Sequence, residues 1–186
     1  MIELRGHLTP FLIWSMAAAP LLLALCRVRR SIFLGITACV GLAAVAAWVA
    51  FAGFGYRFSE NLTTSLKGHI YVYKAGDPWK KGDLVAYRWQ GGYGYPMGAT
   101  FIKVVAGVPG DMVKRDDRTF MVGDQYVGVA KVTAKSGEPL EAAAAGVIQK
   151  GEYFLATPNP DSFDSRYAVN GNIKQMHIIG RAREIF

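Results

Sequence analysis

Cysteine is nearly absent from this 186-residue chain, and the two present, Cys26 and Cys39, both fall in its apolar first third. Residues 56–186 have none, which excludes a disulfide and a thiolate metal centre from that stretch. Histidine is almost as scarce. Only His69 and His177 lie beyond residue 55, at no metal-ligand spacing, so neither a catalytic metal nor a cofactor is expected. No His-based catalytic triad can be assembled from so few. A basic–aromatic cluster of the kind that binds nucleic acid is also missing, although the net charge is +7. Residues 56–186 carry 17 basic against 13 acidic side chains, a balance that suits proximity to anionic lipid.

Charge itself is missing from two long runs. Residues 8–26 contain 19 uncharged positions and residues 31–55 contain 25 more. About 20 apolar residues cross a bilayer core, and backbone in lipid must satisfy its own hydrogen bonds, so both runs are expected to be transmembrane helices. Between them lies Arg27-Val28-Arg29-Arg30. The positive-inside rule places this loop (27–30) in the cytoplasm and makes residues 1–55 a transmembrane α-helical hairpin. Residues 56–186 are then exported. A second reading makes the first run a cleaved signal peptide. Against it, Glu3 stands with only Arg5 ahead of the run, and no small-residue cleavage site precedes the arginine loop.

Past Gly55 the composition changes. The runs "HIYVYKA", "DLVAYRW", "ATFIKVVAGV", "DMVKR", "TFMVGDQYVGVA", "EYFLA" and "MHIIGRAREIF" alternate or are rich in β-branched and aromatic residues. Gly and Pro turn signals separate them, which predicts a mainly-β domain. The stretch "PLEAAAAGV" (139–147) reads as a helix or a loop. About 130 residues suffice for one β domain with its own core.

The chemistry must come from side chains that are present. Ser65, in "NLTTSLKGHIY", is inert as a nucleophile unless a base takes its proton. His69 is read as a surface residue, which leaves lysine, and a lysine acts as a base only where burial leaves it neutral. Lys67 is close in sequence but sits in a glycine-flanked, solvated turn. Lys103 lies in a strand with Phe101 and Val105 on its own face. From that stretch alone it either snorkels to the rim or serves as a desolvated base. Read the same way, "DSFDSRY" is a solvated polar loop.

Taken in order behind an anchor, Ser65, Gly82-Asp83, Lys103 with Pro109-Gly110-Asp111, and Ser162-Phe163-Asp164-Ser165-Arg166 form a pattern that resembles the type I signal peptidase family of membrane-bound Ser-Lys serine peptidases. The short 38-residue Ser-to-Lys spacing and the "NLTTSLKG" motif look most like its conjugative-transfer, TraF-type branch. The resemblance implies a LexA/signal peptidase-type β fold for the exported domain and an endopeptidase of the bacterial inner membrane with its catalytic domain in the periplasm. It assigns Ser65 as nucleophile and Lys103 as general base. The Ser65 N–H and the Thr63 hydroxyl would form the oxyanion hole; position i−2 on an extended segment faces the same way as the nucleophile. Ser162 would orient the lysine, with Asp164 and Arg166 as a supporting ion pair.

The implied partners are a precursor protein, either pilin or another exported preprotein, the lipid bilayer, and components of a conjugative type IV secretion system. Cleavage could be hydrolytic or could cyclise the product. General signal-peptide removal, or a catalytically silent membrane-anchored scaffold of a secretion complex, are the competing functions. Two departures stand out: Leu66-Lys67 replaces the proline usual shortly after the nucleophile, and Thr157-Pro158-Asn159-Pro160-Asp161 replaces the usual Gly-Asp-Asn before Ser162.

Overall fold

The computed structural model describes residues 30–61 and 65–186. It divides into two compact units between Phe51 and Ala52. In the first, helix α1 (Arg30–Gly53) contains 21 residues, Phe33–Gly53, that are long and apolar enough to cross a bilayer. It carries no acidic residue in its first turn and buries none of its apolar window against protein. Its outward hydrophobic surface therefore needs lipid or a partner to cover it.

The expected two-helix hairpin is corrected here. One long apolar helix is found among the described residues, and the other expected span, 8–26, lies outside them. Length and apolarity state that a segment can cross a membrane; they do not establish a second helix or its pairing with the first.

The second unit is mainly β. Its strands are β1 (Tyr56–Glu60), β2 (Ile70–Lys74), β3 (Leu84–Arg88), β4 (Thr100–Gly107), β5 (Met112–Asp116), β6 (Thr119–Val122), β7 (Gln125–Val129), β8 (Gly146–Val147), β9 (Glu152–Ala156), β10 (Ile173–Lys174) and β11 (Ile178–Glu184). They form a seven-stranded sheet, ordered β1-β2-β11-β3-β4-β9-β10, and a four-stranded sheet, ordered β7-β6-β5-β8. All the pairings are antiparallel.

The β3–β4 pair is in register with Val85 opposite Lys103 and Tyr87 opposite Phe101. The Gly82-Asp83 segment extends this pairing, since Gly82 N–H donates to Val105 O at 2.8 Å and Val105 N–H to Asp83 O at 2.9 Å. After β4 the chain turns at Gly110, whose φ of +92° suits glycine, while Asp111 accepts from Val108 N–H at 3.1 Å.

Residues 139–147 form no helix. Their carbonyls are held from outside: Arg118 donates to Leu140 O at 2.8 Å and Arg115 to Ala143 O at 2.7 Å. Leu140 and Ala143 are buried beneath them. Guanidinium groups from β5 and from the β5–β6 turn thus satisfy backbone that a helix would satisfy locally.

Two apolar clusters make the core. Val85, Tyr87, Trp89, Val105, Leu155, Ile173 and Ile178 fill one; Val113, Phe120, Val122, Ile148, Phe154 and Tyr167 belong to the other. Phe163 packs against both.

Candidate active site

Lys103 follows from the alternation of β4. Lys103 and Val105 are buried positions two apart, and strand periodicity puts them on one face with Phe101; a register shift between Val105 and Gly107 ends the alternation. Lys103 is 5% exposed, and its Nζ lies 5.9 Å from the Phe101 ring centroid. Among the described residues it has no salt-bridge partner within 4 Å. Burial lowers its pKa from 10.5 to about 8; the Asp164 carboxylate opposes that shift and the Arg166 guanidinium adds to it.

The reason Asp164 does not fix Lys103 as an ammonium is geometric. Asp164 is committed to Arg166 by two hydrogen bonds of 2.8 Å, Nε to Oδ1 and Nη2 to Oδ2, with both side chains fully buried. Its carboxylate also accepts from the backbone N–H of Thr157 and Arg166, each at 3.2 Å. Arg166 in turn donates to Asn159 O at 2.9 Å and to Val129 O at 3.3 Å. A doubly hydrogen-bonded, charge-neutral pair leaves little net field, so desolvation governs the neighbouring amine.

These bonds turn "DSFDSRY" from a polar loop into buried structure. Ser165 accepts from Leu155 N–H at 3.0 Å and its own N–H donates to Leu155 O at 2.9 Å, which fastens the segment to β9. Gly128 makes room for it: φ there is +143°, and a Cβ would stand 2.5 Å from Arg166 Nη1. The atypical Asn159-Pro160-Asp161 turn is closed locally by Asp161 N–H on Asn159 Oδ1 at 2.7 Å. Ser162, 1% exposed, has a hydroxyl with no hydrogen-bond partner among the described residues. An orphaned buried hydroxyl costs about 1–3 kcal/mol, and Thr157 Oγ1 and Trp89 Nε1 are enclosed in the same way among the described residues.

Ser65 sits half-buried in the β1–β2 loop, directly after residues 62–64, which, Thr63 among them, lie outside the described residues. The loop is clamped. Asn61 Nδ2 donates to Leu66 O at 3.0 Å and Gly68 O at 2.9 Å, and Asn61 N–H donates to His69 O at 2.8 Å. The C-terminal carbonyl of Phe186 accepts from His69 and Ile70 N–H at 2.7 and 2.9 Å. Gly68 N–H donates to the buried Tyr71 hydroxyl at 3.0 Å, and a Cβ on Gly68 would fall 2.5 Å from Glu184. Tyr71 is itself shifted upward, first by burial and then by Glu184. Lys67 is exposed on the same loop, as is His69.

The structure therefore gathers Lys103, Asp164 and Arg166 into one electrostatic neighbourhood, with Ser162 in the same buried segment. Ser65 is carried by a separate loop, between β1 and β2, and β2 stands three places from β4 in sheet order. Asn61 and Gly128 were not singled out from sequence. For Asn61 a signal existed, since an Asn at the mouth of a glycine-closed loop commonly bonds the loop backbone. For Gly128 none did, because its need comes from an arginine 38 positions away.

Lys103 is thus a buried lysine with no ion-pair partner among the described residues, beside the paired Asp164 and Arg166, in a β domain that follows an apolar helix in the chain. The family profile described as signal peptidase, peptidase S26, matches residues 29–186, and the chain belongs to that family. It is thus a serine endopeptidase of the class that acts on signal peptides. Its apolar helix and β domain agree with the family's membrane-anchored arrangement and exposed extracytoplasmic domain. The chain is 31% identical over 148 residues to the conjugal transfer protein TraF of Agrobacterium fabrum, covering 71% of this chain and 82% of that one. It is also similar to the crystal structure of a signal peptidase I from Enterococcus faecalis, at 23% identity, over 56% of this chain and 97% of that one. The TM-score is 0.38, too low for that likeness to bear on mechanism.

Proposed function

We propose that Ser65 is the nucleophile and Lys103 the general base of a peptidase that matures a precursor for a conjugative transfer apparatus. The observation that carries this reading is Lys103 itself. It is a buried amine with no ion-pair partner among the described residues, and a substantial part of it is neutral near pH 8.

In the first step Ser65 Oγ attacks the scissile carbonyl carbon while its proton passes to Lys103 Nζ. The oxyanion is received by the Ser65 N–H and the Thr63 hydroxyl. On collapse, Lys103 returns the proton to the departing amine, leaving an acyl-enzyme on Ser65. Water, deprotonated by Lys103, then releases the acid; if the precursor's own N-terminal amine attacks instead, a ring forms and no water is consumed. Ser162 Oγ orients the amine of Lys103, and the Asp164–Arg166 pair holds the segment that carries Ser162.

Residues 56–186 form the catalytic unit in this reading, on the periplasmic face of a bacterial inner membrane. The conjugal transfer relative supports a pilin or another transfer component as the precursor, ahead of general preproteins. Placing the enzyme at the bilayer raises its effective concentration toward a membrane-delivered substrate.

The test is precursor processing in membranes by Ser65→Ala, Lys103→Ala and Lys67→Ala proteins. Only the first two should lose cleavage; an active Lys103→Ala enzyme would sink the assignment, and loss confined to Lys67→Ala would move the role to that residue. Mass spectrometry of the product distinguishes a linear chain from a ring lighter by one water. Processing of an unrelated secreted precursor at equal efficiency would favour the general peptidase.

A further inference from the structure

The Lys103 face of β4 continues into an aromatic assembly that the reaction scheme leaves unused. Phe101, beside the lysine amine, stacks on Trp89 at 5.3 Å and 11° and meets Tyr95 edge-on at 5.2 Å. Phe163, between Ser162 and Asp164 in sequence, contacts Trp89 at 5.4 Å, Tyr93 at 5.2 Å, Tyr95 at 6.4 Å and Tyr167 at 5.3 Å. The glycine-rich β3–β4 connection supplies Tyr93 and Tyr95, with Tyr93 at a φ of +51°, unusual for a residue with a side chain. Tyr95 remains 41% exposed, so it forms the outer wall.

We propose that Phe163 and Tyr95 are positioning residues for the reaction: their rings lock the Ser162 segment against the β3–β4 connection and Phe101, closing water away from Lys103. The inference rests on the reading of Lys103 as the base. Phe163 packs against both core clusters, so it joins the two halves of the domain at the point where Ser162 must be held. Aromatic rings suit this task, because a stacked and edge-to-face set is rigid and excludes water over a large area.

The groups that face Lys103 fix what the wall controls. The 159–166 segment brings Asp164 and Arg166, which largely cancel. Strand β3 brings apolar Val85 and the phenol of Tyr87, which burial pushes upward and so keeps neutral. On β9, Leu155 stands opposite Val105. With charges balanced, water access is the free variable, and the wall sets it.

The experiment uses the full-length protein in detergent–phospholipid micelles and a fluorogenic peptide spanning a signal-peptide cleavage site. The pH dependence of kcat/KM is measured for wild type, Phe163→Ala, Phe163→Leu, Tyr95→Ala and Tyr95→Phe. Opening the wall should move the acid limb upward by about one pH unit, giving about a tenfold loss at pH 7 that shrinks as pH rises. Tyr95→Phe, which keeps the ring, should retain the wild-type limb, and Phe163→Leu should fall between.

A merely structural role lowers activity equally at every pH, and that result overturns the proposal. In a Ser65→Ala background, NMR titration of the 13C-methylated Lys103 amine should show the same upward shift; an unmoved amine also overturns it. If Phe163→Ala fails to fold, the Tyr95 pair carries the test. Cleavage retained by Lys103→Met would instead defeat the underlying assignment, whatever the wall variants do.

Discussion

Replacing Lys103 by methionine separates what the residue does for stability from what it does for the reaction. Methionine keeps a similar length and apolar volume but cannot be charged. The folded pKa of about 8 lies below the ordinary value of 10.5, so between these limits the unfolded chain binds more protons than the folded one. Stability contributed through this group therefore rises with pH across that window, and below about pH 8 the whole cost of the buried ammonium is present. Moving the amine from 10.5 to about 8, at about 1.4 kcal/mol per pH unit, sets that cost at about 3–4 kcal/mol.

Lys103→Met should then be more stable than wild type by about 2–4 kcal/mol at pH 7, with the gap narrowing to about 1–2 kcal/mol at pH 9.5. For a domain of this size each kcal/mol corresponds to about 3–5 °C in Tm, so the melting difference is readily measured. Urea unfolding of both full-length proteins in micelles, repeated at pH 6, 7, 8.5 and 9.5, supplies the comparison. Peptide cleavage in the same preparations should be abolished. A methionine variant that is less stable than wild type at pH 7, or a stability gap that does not change with pH, would refute the argument that Lys103 is held as a costly, desolvated base.

Other perturbations test the remaining parts. The wild-type kcat/KM should climb with unit slope below an apparent pKa near 8 and level off above it, as the neutral Lys103 fraction does; a flat profile from pH 6 to 9 would contradict this. Arg166→Met leaves Asp164 buried without its partner and should cost about 3–5 kcal/mol in urea unfolding. Gly128→Ala forces a Cβ toward Arg166 at a φ of +143° and should destabilise by about 1–3 kcal/mol, whereas Gly137→Ala, with open space around it, should cost less. Asn61→Ala removes two hydrogen bonds across the Ser65 loop; about 1–3 kcal/mol of loop order should be lost, read as faster amide exchange at residues 66–69 and reduced kcat.

The longer strands were legible because one face of each is buried, which imprints alternation on the sequence: "ATFIKVVAGV" became β4 and "MHIIGRAREIF" became β11. Strand β1, with mostly exposed positions, and the two-residue strands β8 and β10 carry no such imprint and were not expected. Residues 139–147 misled in the opposite way. Four consecutive alanines favour a helix locally, but Arg115 and Arg118 take the carbonyls that a helix would use.

At the site, the limit was the long-range character of burial. Polarity makes 161–167 read as solvated, yet Asp164, Ser165 and Arg166 are entirely enclosed, because each polar atom meets a partner supplied by β9, by β7 or by the segment itself. Such matching leaves no period in the sequence. It also explains why a charged pair is tolerable beside a lysine that, on the proposed mechanism, must lose its charge. A lone aspartate next to Lys103 would hold the ammonium, and a lone arginine would be buried at great cost. Joined, they supply a rigid, nearly neutral support, so the environment of Lys103 is set by exclusion of water more than by any neighbouring charge. On this account Asp164→Asn should act in two ways at once: it lowers the folded pKa of Lys103 by removing the opposing carboxylate, and it strands the Arg166 charge. The acid limb of kcat/KM should therefore move down while stability falls, a pairing of effects that loss of packing alone does not produce.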